Sequence, residues 1–452
     1  MNQTRDLENL SISRLLIKFS VPAITGTVIT SLYNIVDRIF LGRYVGENAI
    51  VATTISMPMM MIIMAIGMLI GFGTNSQISL RLGEKRYEEA EKLLGQGLFL
   101  FFASSVTLTL VSLVFLKPLL IFFGATPKVM PMAAAYLSIV LLGILPHQIS
   151  FGVNSFIRGE GNPRTAMATM LIGGILNVIL DYLFIAVFGW GMKGAAWATV
   201  IGYSVSALWV IHYYVSGRSH VKFDRKNFTM QLSSVKQVLL MGSPHFIMNM
   251  ISSIQMSLFN NQLARHGGDQ AISIMGVIMS FNLIWVMPVI GLSQGLQPIV
   301  GYNYGAKKFD RVKKALLTAV ACATATVVFF FLIIELFPEK IFLLFTSEHG
   351  SDFVFQGAQA IRRFLCLLPG VGYLILAGNY FQFTGRPKIS LALTIVRQMV
   401  FLIPALLILP EYLGLNGVWY SMPTSDGGAL LITSFFFAKE LKKLAAMEAV
   451  QK

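Results

Sequence analysis

Apolar runs of membrane-crossing length, separated by short polar and basic stretches, recur along the whole chain. A hydrocarbon core about 30 Å thick takes roughly 20 apolar residues of helix. The pattern predicts twelve spans, over 15–40, 50–80, 94–116, 130–157, 165–188, 195–215, 236–264, 271–302, 315–337, 355–384, 388–410 and 416–438. The longest polar connection, residues 216–235, divides an N-terminal lobe (1–215) from a C-terminal lobe (236–452). The fold class expected is an all-α polytopic membrane protein of two six-helix bundles.

The two halves repeat. Pro22 matches Pro244, and the same offset of 222 positions takes Gly46-Glu47 to Gly268-Asp269, Gly73 to Gly295 and Gly83-Glu84-Lys85-Arg86-Tyr87 to Gly305-Ala306-Lys307-Lys308-Phe309. Further on, Gly161-Asn162-Pro163 aligns with Gly385-Arg386-Pro387. Six spans per repeat give both halves the same orientation, so a pseudo-two-fold axis along the membrane normal relates them, as in transporters built from parallel repeats.

Composition agrees. Hydrophobic residues make up 55% of the 452 and charged residues only 12%, about half the share in a soluble protein. The net charge of +14 comes from basic residues in short loops between apolar spans. That arrangement reflects membrane topology and contact with anionic lipid, not a nucleic-acid partner. Most of the 35 Lys and Arg fall on the side that holds both termini, which places the termini in the cytoplasm by the positive-inside rule. Cys322 and Cys366 lie in apolar segments without metal-type spacing and read as small core residues, with no disulfide expected. The polar N-terminal stretch is unlike a cleavable signal peptide. No phosphate-binding glycine loop and no nucleophile–base pairing is present, so neither direct ATP coupling nor an enzymatic activity is expected.

Candidate chemistry concentrates in the N-terminal lobe. Asp37 lies inside the first span and Asp181 inside the fifth. A charge at bilayer depth costs roughly 2.5–3.5 kcal/mol on insertion scales, so such residues mark functional sites by default. The neighbouring Arg38 can snorkel outward, whereas the short Asp37 cannot. Asn34 shares a helix face with Asp37, and Asn177 shares one with Asp181. Carboxylates among amide oxygens suit reversible binding of a proton or a hard cation; the bland alternative is two aspartates satisfied by backbone and hydroxyl groups. The repeat places Phe259 opposite Asp37 and Pro404 opposite Asp181, so the second lobe lacks both acids. Tyr33, Tyr136, Asn154 and Thr199 add polar groups, each more often a helix-packing hydrogen bond than a ligand when taken alone. Met57 and Met61, in a methionine-rich second span, suit an adaptable apolar cavity or plain packing. Arg397, inside the eleventh span, either faces a cavity or is neutralised by Asp426 or by backbone carbonyls. His147 and His245 read as packing residues, and Glu335 as a wet residue near a span end.

LYNIVDRIFLG in the first span, GEGNP after the fourth, NVILD in the fifth and GAAWAT in the sixth together resemble the multidrug and toxic compound extrusion (MATE) family. The resemblance covers nearly the whole chain. It implies a twelve-span antiporter of a bacterial or archaeal cytoplasmic membrane. Such a protein exports amphipathic, often cationic compounds in exchange for protons or sodium ions, without ATP or another cofactor. It further implies coupling residues Asp37, Asp181, Asn177 and Thr199, with Tyr136 and Asn154 close by. Asp37, Asp181 and Asn177 would be the metal ligands if the ion is sodium. Gln255 stands where one branch carries a glutamate, which favours the DinF-like branch, with coupling in the N-terminal lobe, and leaves Gln255 and Arg397 as cavity candidates. A monomer is the default. The rival within the superfamily is a lipid-intermediate flippase, which fourteen spans and a strongly basic cavity would mark.

Overall fold

The computed structural model describes residues 2–217, 219, 221, 222, 224–229, 231–344 and 352–451. Residues 218, 220, 223 and 230 of the expected linker lie outside that set. The described residues are helical or in turns, with no strand among them, as a bilayer demands of backbone that must satisfy its own hydrogen bonds.

Eight helices are individually long and apolar enough to cross a membrane, and two bent pairs bring that to ten. The 74-residue run Leu232–Gly305 is two helices, because Gly268 (φ 64°, ψ −162°) leaves helical geometry. The last helix, Leu415–Gln451, carries Ser421, Thr424, Ser425 and Asp426 in its apolar stretch, which lowers its hydropathy and keeps it out of those ten. In chain order the twelve membrane helices are α1 (Ile12–Val45), α2 (Asn48–Gly83), α3 (Tyr87–Val114), α4 (Met130–Leu142 and Ile144–Gly159), α5 (Pro163–Val187), α6 (Gly191–Val215), α7 (232–267), α8 (269–305), α9 (Phe309–Leu336), α10 (Asp352–Phe364 and Leu368–Phe383), α11 (Pro387–Leu413) and α12 (Leu415–Gln451). The all-α, twelve-span reading holds.

The sequence repeat is reproduced in backbone detail. Lys85 (φ 61°) and Lys307 (φ 59°), at equivalent positions, both take the left-handed conformation. Around them the Arg86 N–H reaches the Arg81 carbonyl and the Lys308 N–H the Asn303 carbonyl, each at 2.9 Å. This is the six-to-one closure that ends a helix and satisfies its last carbonyls. Gly46 (φ 106°) and Gly268 (φ 64°) form a second matched pair at the turns after α1 and α7, where a side chain would be strained.

The chain forms two compact units, and each takes in a segment from the other half's opening span. One unit holds residues 2–10 and Val21–Phe246; the other holds Ser11–Ser20 and 247 onward. Both exchanges fall beside the matched prolines, Pro22 inside α1 and Pro244 inside α7. Glycine makes them possible. A Cβ on Gly242 of α7 would sit 1.8 Å from the Leu69 carbonyl oxygen of α2, and one on Gly73 would sit 2.1 Å from that of Val238. The equivalent crossing in the other unit sets Gly295 of α8 against Ser20 of α1, at 2.5–2.8 Å for the same construction.

Each unit also carries one broken membrane helix. α4 bends by 58° at Gly143 and α10 by 44° over residues 365–367. π-Helical turns follow in α4 (Ile149–Val153), α5 (Tyr182–Val187) and α11 (Val396–Leu402). Wide turns and breaks at membrane depth persist where the freed backbone groups face protein or a polar cavity, and they cluster at functional sites.

Below the apolar stretch of α12, Glu440 is clamped by Arg386 in a two-pronged ion pair and accepts a hydrogen bond from the Tyr380 hydroxyl at 3.0 Å. The Arg386 guanidinium lies 5.2 Å from the ring centre of Phe381. Burial opposes charge on Glu440, but hydrogen bonding and charge from Arg386 outweigh it and hold the carboxyl below the usual glutamate range. A depressed carboxyl stabilises the fold above its ordinary titration range, and that contribution is lost as pH falls through the folded value. Glu440→Gln is expected to cost about 2–3 kcal/mol at neutral pH. The check is thermal unfolding in detergent: the gap between wild type and variant should close as pH drops below about 4.

Candidate cation and substrate site

Asp37 reaches the site from α1, and Asp181 from α5 at the point where the helix widens into its π turn. The Asp181 side chain is fully buried, and Asn177, one turn earlier, is 4% exposed. Thr199 comes from α6, Tyr136 from the first arm of α4 and Asn154 from the second; all three are buried. Small residues bring α5 and α6 together: a Cβ on Gly202 would stand 3.1 Å from the Gly173 carbonyl and 3.5 Å from the Asn177 Cβ. Tyr33 of α1 packs against Gly174 of α5. All of these residues belong to one unit.

The two aspartates interact directly, and Tyr136 feels the charge of both. Asn177 donates to the Thr199 hydroxyl at 3.5 Å, and that hydroxyl in turn donates to the Ala195 carbonyl at 3.0 Å. Five buried oxygens have no hydrogen-bond partner: Oδ1 of Asp37, both carboxylate oxygens of Asp181, and Oδ1 of Asn154 and of Asn177. Buried polar atoms in native proteins are nearly always satisfied, so this many orphaned acceptors within one unit needs an explanation. Acceptors without donors are what a hard cation takes as ligands, and two carboxylates in contact repel unless a proton or cation lies between them. The donor set therefore fits either ion. Among the described residues no group of three or more His, Cys, Asp or Glu forms a metal cluster, so a sodium ion here would depend on the amide oxygens as well as the two acids.

Sequence reasoning missed Tyr203. It sits one turn beyond Thr199 on α6, shares a polar contact with Tyr33 and edges onto His147 at 4.7 Å between ring centres. Its signal was the four-residue spacing from Thr199. His147 packs on aromatic rings as expected, and His245 stacks on Phe72 at 4.4 Å.

A model of the MatE family matches residues 22–183 and again 244–408, so both repeats carry its signature. The chain belongs to the MatE family. It is accordingly a membrane transporter and not an enzyme. Among its relatives, the multidrug export protein MepA of Staphylococcus aureus is 26% identical over 417 residues, covering 92% of this chain and 91% of MepA. An outward-facing multidrug resistance MATE transporter superposes with a TM-score of 0.91 at 25% identity, covering 99% of each chain. A MATE protein in a bent conformation superposes at 0.92, with 25% identity, covering 100% of this chain and 99% of that one.

The remaining candidates of this MatE chain lie elsewhere. Gln255 and Arg397 belong to the other unit and form a separate polar centre. The Gln255 amide donates to the backbone carbonyl of Gln398 at 3.0 Å and to its side-chain oxygen at 2.6 Å. Arg397 pairs with Asp426 at 2.8 Å, which makes Asp426 its neutralising partner. Met57 and Met61 are exposed on α2, and the Met57 sulfur accepts from Arg38 at 3.0 Å. The side chain of Asn34 lies outside the described residues. One expectation needs correction. Cys322 and Cys366 are exposed, not core, because lipid is as apolar as a core and hydropathy does not separate the two. Glu335 is 37% exposed near its span end, as expected of a wet residue, and pairs there with Arg362 at 3.4 Å.

Proposed function

We propose that this MatE transporter is a secondary antiporter that exports amphipathic, often cationic compounds by exchanging them for protons or sodium ions at the Asp37–Asp181 site. The observation that carries the reading is that Asp37 and Asp181 interact while three of their four carboxylate oxygens are buried without a donor. A cation entering from outside relieves their repulsion and favours one packing of α1 against α5 and α6; its loss inside restores the other. Each conformation then holds either ion or substrate, which is the requirement for exchange. Thr199, Asn177, Asn154 and Tyr136 shape the ion site. The multidrug names of MepA and of the solved relatives support the choice of amphipathic drugs as cargo. The bent conformation of one relative supports a cycle with more than one conformation. A bacterial or archaeal cytoplasmic membrane, cytoplasmic termini, a monomer, lobes over 1–215 and 236–452 and membership of the DinF-like branch complete the proposal.

An inward charge falling through 100 mV yields about 2.3 kcal/mol, enough for a roughly 50-fold gradient of a neutral substrate. Ethidium carries a charge itself, so its one-for-one exchange with a monovalent ion depends on the ion gradient alone. The test is ethidium efflux from proteoliposomes under an imposed proton gradient and, separately, a sodium gradient. Efflux driven by one of them is expected and names the ion. Equal rates with and without either gradient would overturn antiport.

A further inference from the structure

The second unit has a polar centre that the cation site does not use. Oδ1 of Asp426 takes both contacts from Arg397, with Nε at 2.9 Å and Nη2 at 2.8 Å. Nη1 of Arg397 and Oδ2 of Asp426 have no hydrogen-bond partner among the described residues, and neither is sealed from accessible space. The side chains are 14% and 5% exposed. A bare N–H and a bare carboxylate oxygen do not persist against lipid tails, so the space they reach admits water or a polar ligand.

Two backbone irregularities lie beside the pair. Arg397 sits in the π turn of α11. Its backbone carbonyl accepts the Ser425 hydroxyl at 2.6 Å, which fixes α12 to that turn. The break in α10 lies alongside, with Leu367 3.4 Å from a Cβ built on Gly427, next to Asp426. Gln255 of α7 braces the far side of the turn through Gln398. Four helices thus hold one ion pair at membrane depth, and a broken helix at such a depth marks a binding site in many transporters.

The pair is neutral as a whole but offers one donor edge and one acceptor edge. A net cation gains little from it, since Arg397 repels what Asp426 attracts. A molecule with a charge of each sign satisfies both edges at once. We propose that Arg397 and Asp426 bind the two charged ends of a zwitterionic amphipathic substrate, an anionic group at Nη1 of Arg397 and a cationic group at Oδ2 of Asp426. The proposal rests on the transport reading above for the fate of the bound molecule, but not for its binding.

The probes are one rhodamine dye as its methyl ester, a cation, and as its free acid, a zwitterion. Binding of each to full-length protein in lipid nanodiscs is followed by fluorescence anisotropy, and transport of each is followed in proteoliposomes. In the double variant Arg397→Gln/Asp426→Asn, which keeps size and polarity, the ratio of free-acid to ester affinity should fall by at least 10-fold. In Arg397→Lys, which keeps the charge and loses the fork, it should fall by about 3-fold, and this variant decides if the double one does not fold. An unchanged ratio in a monodisperse variant, or no free-acid binding by wild type, would overturn the site. Binding of both dyes by wild type with no movement of either under any gradient would overturn the transport reading and leave the site standing.

Discussion

Asp37→Asn and Asp181→Asn are each expected to reduce gradient-driven efflux by at least 10-fold while leaving the fold intact. The two carboxyls interact, and three of their four oxygens are buried without a donor. Each substitution removes one of the two charges that attract an ion and puts an amide N–H where the ion would sit. A unit charge at about 4 Å contributes about 4 kcal/mol at the effective dielectric of a protein near its surface. Allowing for partial compensation by Asn177 and Asn154, the loss is roughly 3 kcal/mol, about 100-fold in ion affinity. Stability should move the other way, since each variant ends the repulsion between the acids. Thermal midpoints at or above wild type, together with lost efflux, would separate a coupling role from a structural one. Asn177→Ala is expected to have a smaller effect, because it removes one oxygen and no charge.

The second large effect concerns the exchanged segments. Gly242→Leu should lower stability by about 3 kcal/mol or more, at the upper end of overpacking costs. The Cβ alone would meet the Leu69 carbonyl oxygen at 1.8 Å, and backbone cannot rotate away as a side chain can. Gly73→Leu should behave alike, since it meets the Val238 carbonyl at 2.1 Å. Gly378→Ala in α10 is the control, with nothing within 4 Å of the added atom. It should be neutral or stabilising by up to about 1 kcal/mol, because alanine is the better helix former. Thermal unfolding of the purified variants checks all three.

Much of this molecule was legible because a membrane makes polar residues conspicuous. Asp37, Asn177 and Asp181 stand out of apolar runs, and the structure gathers Asp37, Asp181 and Tyr136 in one unit with Asn177, Thr199 and Asn154 on its buried faces. The Pro22–Pro244 and Lys85–Lys307 matches showed the repeat, and the backbone reproduces it with proline inside both opening helices and left-handed lysines at both turns. Other features left no mark in hydropathy. The bends at Gly143 and at residues 365–367 fall within apolar segments, so the sequence reads straight through them. The docking of Ser11–Ser20 in the second unit depends on backbone approach at Gly295, which periodicity does not encode. Tyr203 passed unnoticed because a lone tyrosine in a membrane helix is ordinary until its neighbours are known.

The most direct test of the central claim runs the exchange backwards. Proteoliposomes loaded with substrate, with no ion gradient imposed, should draw the coupling ion inward as substrate leaves, read by a pH-sensitive or sodium-sensitive dye in the lumen. The expected result is an ion signal that rises with substrate efflux in wild type and disappears in Asp37→Asn. Substrate efflux with neither ion signal, or an ion signal of equal size in Asp37→Asn, would contradict coupling at the Asp37–Asp181 site.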